Sequence, residues 1–270
     1  MLHKLSFSIK KLIYFLLVVL IVLTGVSIYY YIRWKPLWSL EEEKELYSVV
    51  HQYDDTLRVV MIGDSWVGMR TGIENSHLQQ QLTELTGFPT MVWTKGTGGA
   101  KSRDIYLHVF DKNGTRPLME EGPDFCAVFA GINDASANLG TTQFRHHFKL
   151  ILQFLLKNDI CPIVVEIPDV NIWTVKNDKP LKDLAGDYVK SIMTGCDMYC
   201  YANYREELNK MLIQEELLDE VVFVPIKEWC GNEVQMQEMF LDDMIHLNEK
   251  GYVMMDSCIA VKIVDYLKKR

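Results

Sequence analysis

The stretch Leu57-Arg58-Val59-Val60-Met61-Ile62-Gly63-Asp64-Ser65 decides the fold. Leu57–Ile62 is a short, Val/Ile-rich apolar run, the composition of a strand buried on both faces. Gly63-Asp64-Ser65 then makes a turn, and a helical stretch follows near Glu74–Thr86. The unit recurs along the chain. Thr90–Thr94 reads as a strand entering Gly96-Thr97-Gly98-Gly99, and Phe125–Ala130 as one entering Gly131-Ile132-Asn133-Asp134. From Thr141 to Asn158 the apolar residues Phe144, Phe148, Ile151, Leu152 and Leu155 share one helical face. Ile163–Ile167 and Val221–Val224 complete five strands, with helices near Gly186–Met193 and Tyr201–Leu218. Asn248 is placed to cap a last helix running to Leu267. Strands alternating with helices predict one α/β domain over 41–270, its parallel sheet covered on both faces. The charged stretch Glu41–Glu45 that opens it reads as a helix or linker.

Residues 1–40 are of another kind. Five of the 28 basic residues and none of the 36 acids lie there, so the remaining residues carry a charge of −13 rather than the overall −8. A body that acidic is unsuited to nucleic acid, whose phosphates call for clustered Lys and Arg. Leu12–Ile32 is uncharged and, as a helix, about 30 Å long, one bilayer core. Tyr29, Tyr30, Tyr31 and Trp34 stand at its end, where amphipathic rings favour the headgroup region. A cleaved signal peptide would be shorter and end in small residues, and a core helix would carry a polar face, so a membrane anchor is expected. Lys4, Lys10 and Lys11 before the span nearly balance Arg33, Lys35 and Lys44 after it. The free amino terminus favours an inside N-terminus and an exported domain. Six cysteines at 126, 161, 196, 200, 230 and 258 leave the compartment undecided.

In an open parallel sheet, ligands bind at the carboxyl ends of the strands. Three predicted strands end in polar, glycine-bearing turns, and a fourth block, Asp243-Met244-Ile245-His246, precedes the last helix. These parts suit nucleophilic acyl transfer. A serine hydroxyl needs an imidazole to take its proton, and a carboxylate fixes that imidazole's tautomer. Donors must meet the oxyanion of the tetrahedral intermediate. The Ser65 N–H, an unobstructed N–H at Gly99 and the Asn133 amide are the candidates. Asp242 is the rival to Asp243, at a spacing of four from His246.

The four blocks in this order, Gly63-Asp64-Ser65, Gly96 with Gly99, Gly131-x-Asn133-Asp134 and Asp243-x-x-His246, strongly resemble the SGNH/GDSL hydrolases over about residues 57–268. The resemblance implies a flavodoxin-like three-layer α/β/α fold and ester hydrolysis or acyl transfer; the apolar runs add the expectation of a five-stranded parallel sheet, preceded by one transmembrane helix. It implies Ser65 as nucleophile, His246 as base, Asp243 as orienting acid, and an oxyanion hole from Ser65, Gly99 and Asn133. Two positions depart from the family pattern: Trp66 replaces the usual Leu after the serine, and Thr94-Lys95 stand where Asn is common.

Other motifs fail on inspection. Gly96 to Ser102 imitates a phosphate loop, but Lys95 and Ala100 occupy its glycine positions. Gly63-x-Ser65-x-Val67 lacks the closing glycine of an α/β-hydrolase elbow. Asn113-Gly114-Thr115 is a turn signal as much as a sequon, and Asp134 is expected in an Asx-turn. No metal or other cofactor is expected. The sequence therefore points to a membrane-anchored esterase acting on O-acyl, foremost O-acetyl, groups of a carbohydrate or cell-envelope substrate. The alternatives are a lipase or lysophospholipase, an O-acetyltransferase, and an inactive tethered carbohydrate-binding module.

Overall fold

A computed structural model describes residues 2–70, 72–168 and 179–270. The chain forms two compact units, Met1–Ser39 and Leu40–Arg270. The first is helix α1 (Leu2–Trp34) followed by a 3₁₀ turn, Lys35–Trp38. Ile9–Trp34 has a mean hydropathy of 2.6 and is long and apolar enough to cross a membrane. Its large apolar side chains are mostly exposed, which sets aside a core helix. Tyr30 stacks on Trp34 at 4.5 Å near its C-terminal end.

The second unit begins with a segment that has no regular secondary structure, so of the two readings of Glu41–Glu45, helix or linker, the helix does not form. It is nonetheless held: the Lys44 amide donates to the Tyr106 hydroxyl at 2.8 Å, and Glu41 pairs with Arg103. Its elements then run β1 (Leu57–Gly63), α2 (Ser65–Gly68), α3 (Gly72–Thr86), β2 (Thr90–Gly96), α4 (Ser102–Phe110), α5 (Arg116–Glu120), β3 (Phe125–Phe129) and α6 (Ile132–Ser136). There follow α7 (Thr141–Lys157), β4 (Cys161–Val165), α8 (Leu181–Thr194), α9 (Tyr201–Gln214), β5 (Val222–Val224), α10 (Ile226–Trp229), α11 (Glu233–Met239) and α12 (Glu249–Leu267).

The sheet has the order β2-β1-β3-β4-β5, every pair parallel. This is the doubly wound α/β arrangement expected, with α3 against α12 on one side and α4, α7 and α9 together on the other. β1 and β3 are buried at every residue, and the apolar face of α7 buries Phe144, Phe148, Ile151, Leu152 and Leu155. Several boundaries differ from the sequence reading; α8, for one, starts at Leu181 rather than Gly186, and β2 runs on to Gly96. α9 stops at Gln214 because Glu216 takes a left-handed conformation (φ 54°) and the Leu217 amide turns back to the Leu212 carbonyl at 2.9 Å. β4 starts at Cys161, whose amide meets the Asp124 carbonyl and thereby fixes its register on β3. Asn248 caps α12 by accepting from the Gly251 amide at 3.0 Å.

Candidate active site

Register brings the polar turns together. Gly63 at the end of β1 is opposite both Gly96 of β2 and Phe129 of β3, so three strands end level. A side chain at Gly63 would meet the Phe129 carbonyl at 2.4 Å, and one at Gly96 would meet the backbone of Gly68 and Asp64 at 2.3 and 2.4 Å. Glycine is required there because backbone approaches backbone.

Ser65 opens the one-turn helix α2. Asp64 caps it by accepting from the Trp66 amide at 3.0 Å, and further turn bonds run from the Gly68 amide to the Asp64 carbonyl and from the Met69 amide to the Ser65 carbonyl. Ser65 is half-buried. Its hydroxyl lies 3.0 Å from His246 Nε2, although 181 residues separate them. His246 Nδ1 lies 2.6 Å from Asp243 Oδ2. With Nδ1–H donating to the carboxylate, Nε2 is left to accept the serine proton.

His246 is held by a tight turn. Asp243 Oδ1 accepts from the Ile245 and His246 amides, both at 2.9 Å, while Met244 adopts φ 55°. The Leu241 amide donates to the His246 carbonyl at 2.8 Å. Burial alone would raise the Asp243 carboxyl, but the His246 amide and imidazole and the Ile245 amide outweigh it and hold the group below the usual carboxylate range. Asp242 is exposed and outside this chain of bonds.

Of the three expected oxyanion donors, two are unoccupied and one is engaged. Among the described residues, the Ser65 and Gly99 amides donate to no protein acceptor. Gly99 has φ 75° and open space where a side chain would stand. The Asn133 amide donates to Asp64 Oδ2 at 3.2 Å and to the Ala100 carbonyl at 3.0 Å. Asp64 is 1% exposed; burial and the Asp134 charge push its carboxyl up to about 7, against the pull of the Trp66 amide and His246.

Asp134 does not make the expected Asx-turn. Its carboxylate accepts from the Ser102 amide at 2.9 Å and hydroxyl at 2.6 Å, tying α6 to the start of α4, and burial raises it to about 6. Trp66 stands out in the sequence as a departure beside Ser65 that could reshape the pocket wall; in the structure its indole N–H donates to the Ile245 carbonyl at 2.9 Å. Among the described residues no group of three His, Cys, Asp or Glu side chains converges as a metal site would, and all six thiols are free.

Residues 61–254 match the model of the GDSL-like Lipase/Acylhydrolase family. No curated protein matches the sequence. Solved structures with a similar fold include a lipase/acylhydrolase from Enterococcus faecalis (14% identity, TM-score 0.56), covering 77% of this chain and 96% of that one. TesA is 16% identical with a TM-score of 0.52, covering 78% and 98%. The acetyl xylan esterase AlAXEase is also 16% identical, with a TM-score of 0.50 and coverage of 77% and 98%.

Proposed function

The chain belongs to the GDSL-like lipase/acylhydrolase family of ester hydrolases, and on that premise we propose a membrane-anchored serine esterase that removes O-acyl groups through an acyl-enzyme. In this reading residues 1–40 form the anchor and residues 41–270 an exported catalytic domain. The observation that carries it is the relay of 3.0 Å from Ser65 to His246 and 2.6 Å from His246 to Asp243.

Ser65 Oγ attacks the ester carbonyl while His246 Nε2 takes its proton, and Asp243 holds the imidazole and stabilises its charged form. The oxyanion is met by the amides of Ser65 and Gly99, with Asn133 as third donor. Collapse of the intermediate expels the alcohol, which receives the proton from His246. Water activated by the same imidazole then releases the acid and restores Ser65.

The favoured substrate is an O-acetyl group on a carbohydrate or cell-envelope polymer. A cavity of about 600 Å³ beside the base turn supports this, since Met244 lines it together with the polar Glu166, Arg205, Lys227, Asn232 and Gln237. Those polar side chains offer hydrogen-bond partners to a polyhydroxylated group, beside an apolar wall of Ile226, Cys230, Met236 and Met244. The family's lipase/acylhydrolase description favours a lipid ester as second reading. Acetate released from acetylated glycans, against fatty acid released from lysolipids, separates the two.

Hydrolysis of p-nitrophenyl acetate by the Leu40–Arg270 unit, with Ser65→Ala as control, tests the chemistry. Equal rates in the two proteins would end the esterase reading. The anchor is supported by the length and hydropathy of Ile9–Trp34 and the rings of Tyr30 and Trp34 at its end. An N-terminal tag that stays with the membrane-bound protein is the expected result; loss of the tag would identify a cleaved signal.

A further inference from the structure

The turn carrying His246 is closed on itself. Phe240 and Leu247 form a bridge at its base, the Leu241 amide meets the His246 carbonyl, and Asp243 satisfies the amides inside it. Those bonds fix the shape of the turn but not its distance from the nucleophile. Between Ser65 and His246 the direct link is their own hydrogen bond, which the reaction breaks and remakes at every step. A second link does not react: the Trp66 indole N–H donates to the carbonyl of Ile245 at 2.9 Å, joining the residue after the nucleophile to the residue before the base.

Trp66 is itself tightly held. It is 2% exposed, and its ring meets Trp229 and Phe240 edge-on at centroid distances of 6.0 and 5.9 Å. Its amide is capped by Asp64 at 3.0 Å, and its carbonyl accepts from the buried Tyr252 hydroxyl of α12 at 3.0 Å. The leucine usual at this position in the family has no donor and cannot form the strut.

We propose that Trp66 is a positioning residue that sets the Ser65–His246 separation through its indole bond to Ile245, holding the base in place while the imidazole exchanges its proton with substrate and water. The proposal rests on the Ser65–His246–Asp243 reading. Proton transfer needs heavy atoms within about 3 Å, and displacements near 1 Å can cost about 100-fold.

The test is a double-mutant cycle on the full chain in detergent, with p-nitrophenyl acetate as substrate and melting temperature followed in parallel. Trp66→Phe keeps an aromatic ring and removes the donor. It is expected to lower kcat about 10-fold with KM within about twofold. In the His246→Ala background it is expected to change the residual kcat by less than about twofold, because the base it positions is gone. An unchanged kcat in Trp66→Phe, or the same fold loss in both backgrounds, would overturn the proposal, since a merely structural effect is additive. Should phenylalanine unfold the protein, β-(3-benzothienyl)alanine at 66 replaces only the N–H by sulfur and reads the same bond. A Ser65→Ala protein as active as the wild type would overturn the esterase reading itself, whereas an inactive Ser65→Ala beside an unaffected Trp66→Phe would overturn only the role of Trp66.

Discussion

The side-chain amide of Asn133 donates to Asp64 Oδ2 at 3.2 Å, joining the turn after β3 to the turn after β1. Its other N–H goes to the Ala100 carbonyl at 3.0 Å, so both hydrogens are engaged before substrate arrives. In the proposed mechanism the oxyanion draws one of them away, in competition with these two acceptors. Asn133→Ala is expected to lower kcat by about 100- to 1,000-fold with little change in KM, the size of effect found when one oxyanion donor is removed. Steady-state hydrolysis of p-nitrophenyl acetate measures it.

Asp64 makes stability depend on pH. Its carboxyl is raised by burial to about 7, so the native state holds a proton that the unfolded chain releases near ~4. That contribution is fully present below the unfolded value and is lost as pH rises through about 7. Asp64→Asn cannot ionise. Its melting temperature is expected to gain on the wild type by a few degrees between pH 4 and pH 8; parallel curves would show that Asp64 carries no such linkage.

In the proposed mechanism Asp243 acts through the imidazole. Asp243→Asn keeps an oxygen for the Ile245 and His246 amides, but its NH₂ can turn the His246 tautomer around. A kcat loss of about 100- to 10,000-fold at nearly constant KM is expected, while Asp242→Asn, at the exposed neighbour, stays within about twofold.

Arg70, two residues beyond α2, pairs with Asp256 of α12 at 2.5 Å, both side chains wholly buried. Removing either partner breaks a buried ion pair. Arg70→Met and Asp256→Leu are each expected to cost about 3–5 kcal/mol in urea denaturation, and the double variant to recover most of it.

Gly96→Ala is expected to be harmful where Gly98→Ala is silent. A Cβ at 96 would lie 2.3 Å from the Gly68 nitrogen and push the Ser65 turn away, whereas a Cβ at 98 meets open space. Melting temperature and activity of the two variants, measured side by side, check this.

Local signals carried most of the fold and the identity of the candidate groups. Apolar runs such as Val59–Ile62 form strands buried on both faces, and the 3.6-residue period of Phe144, Phe148, Ile151 and Leu155 forms a helix, because each pattern suits one backbone geometry. The order of the Gly-Asp-Ser, Gly, Gly-x-Asn-Asp and Asp-x-x-His blocks named the residues at the site. Neighbouring residues did not give the limits of elements, where a left-handed Glu216 ends α9 and pairing with β3 starts β4.

The hydrogen bonds between distant blocks were beyond the sequence. Trp66 is a change of residue type beside a serine until folding brings it to Ile245, 179 positions away, and Asp134 is a turn former until Ser102 reaches it. The protonation tendencies of Asp64 and Asp134 belong to the same class, since desolvation depends on what the whole domain stacks over a carboxyl. Sequence by itself thus determined which chemical groups the protein has and which strand ends carry them. Tertiary structure alone decided their distances and charges, because contacts across the sheet follow from register and packing rather than from proximity in the chain.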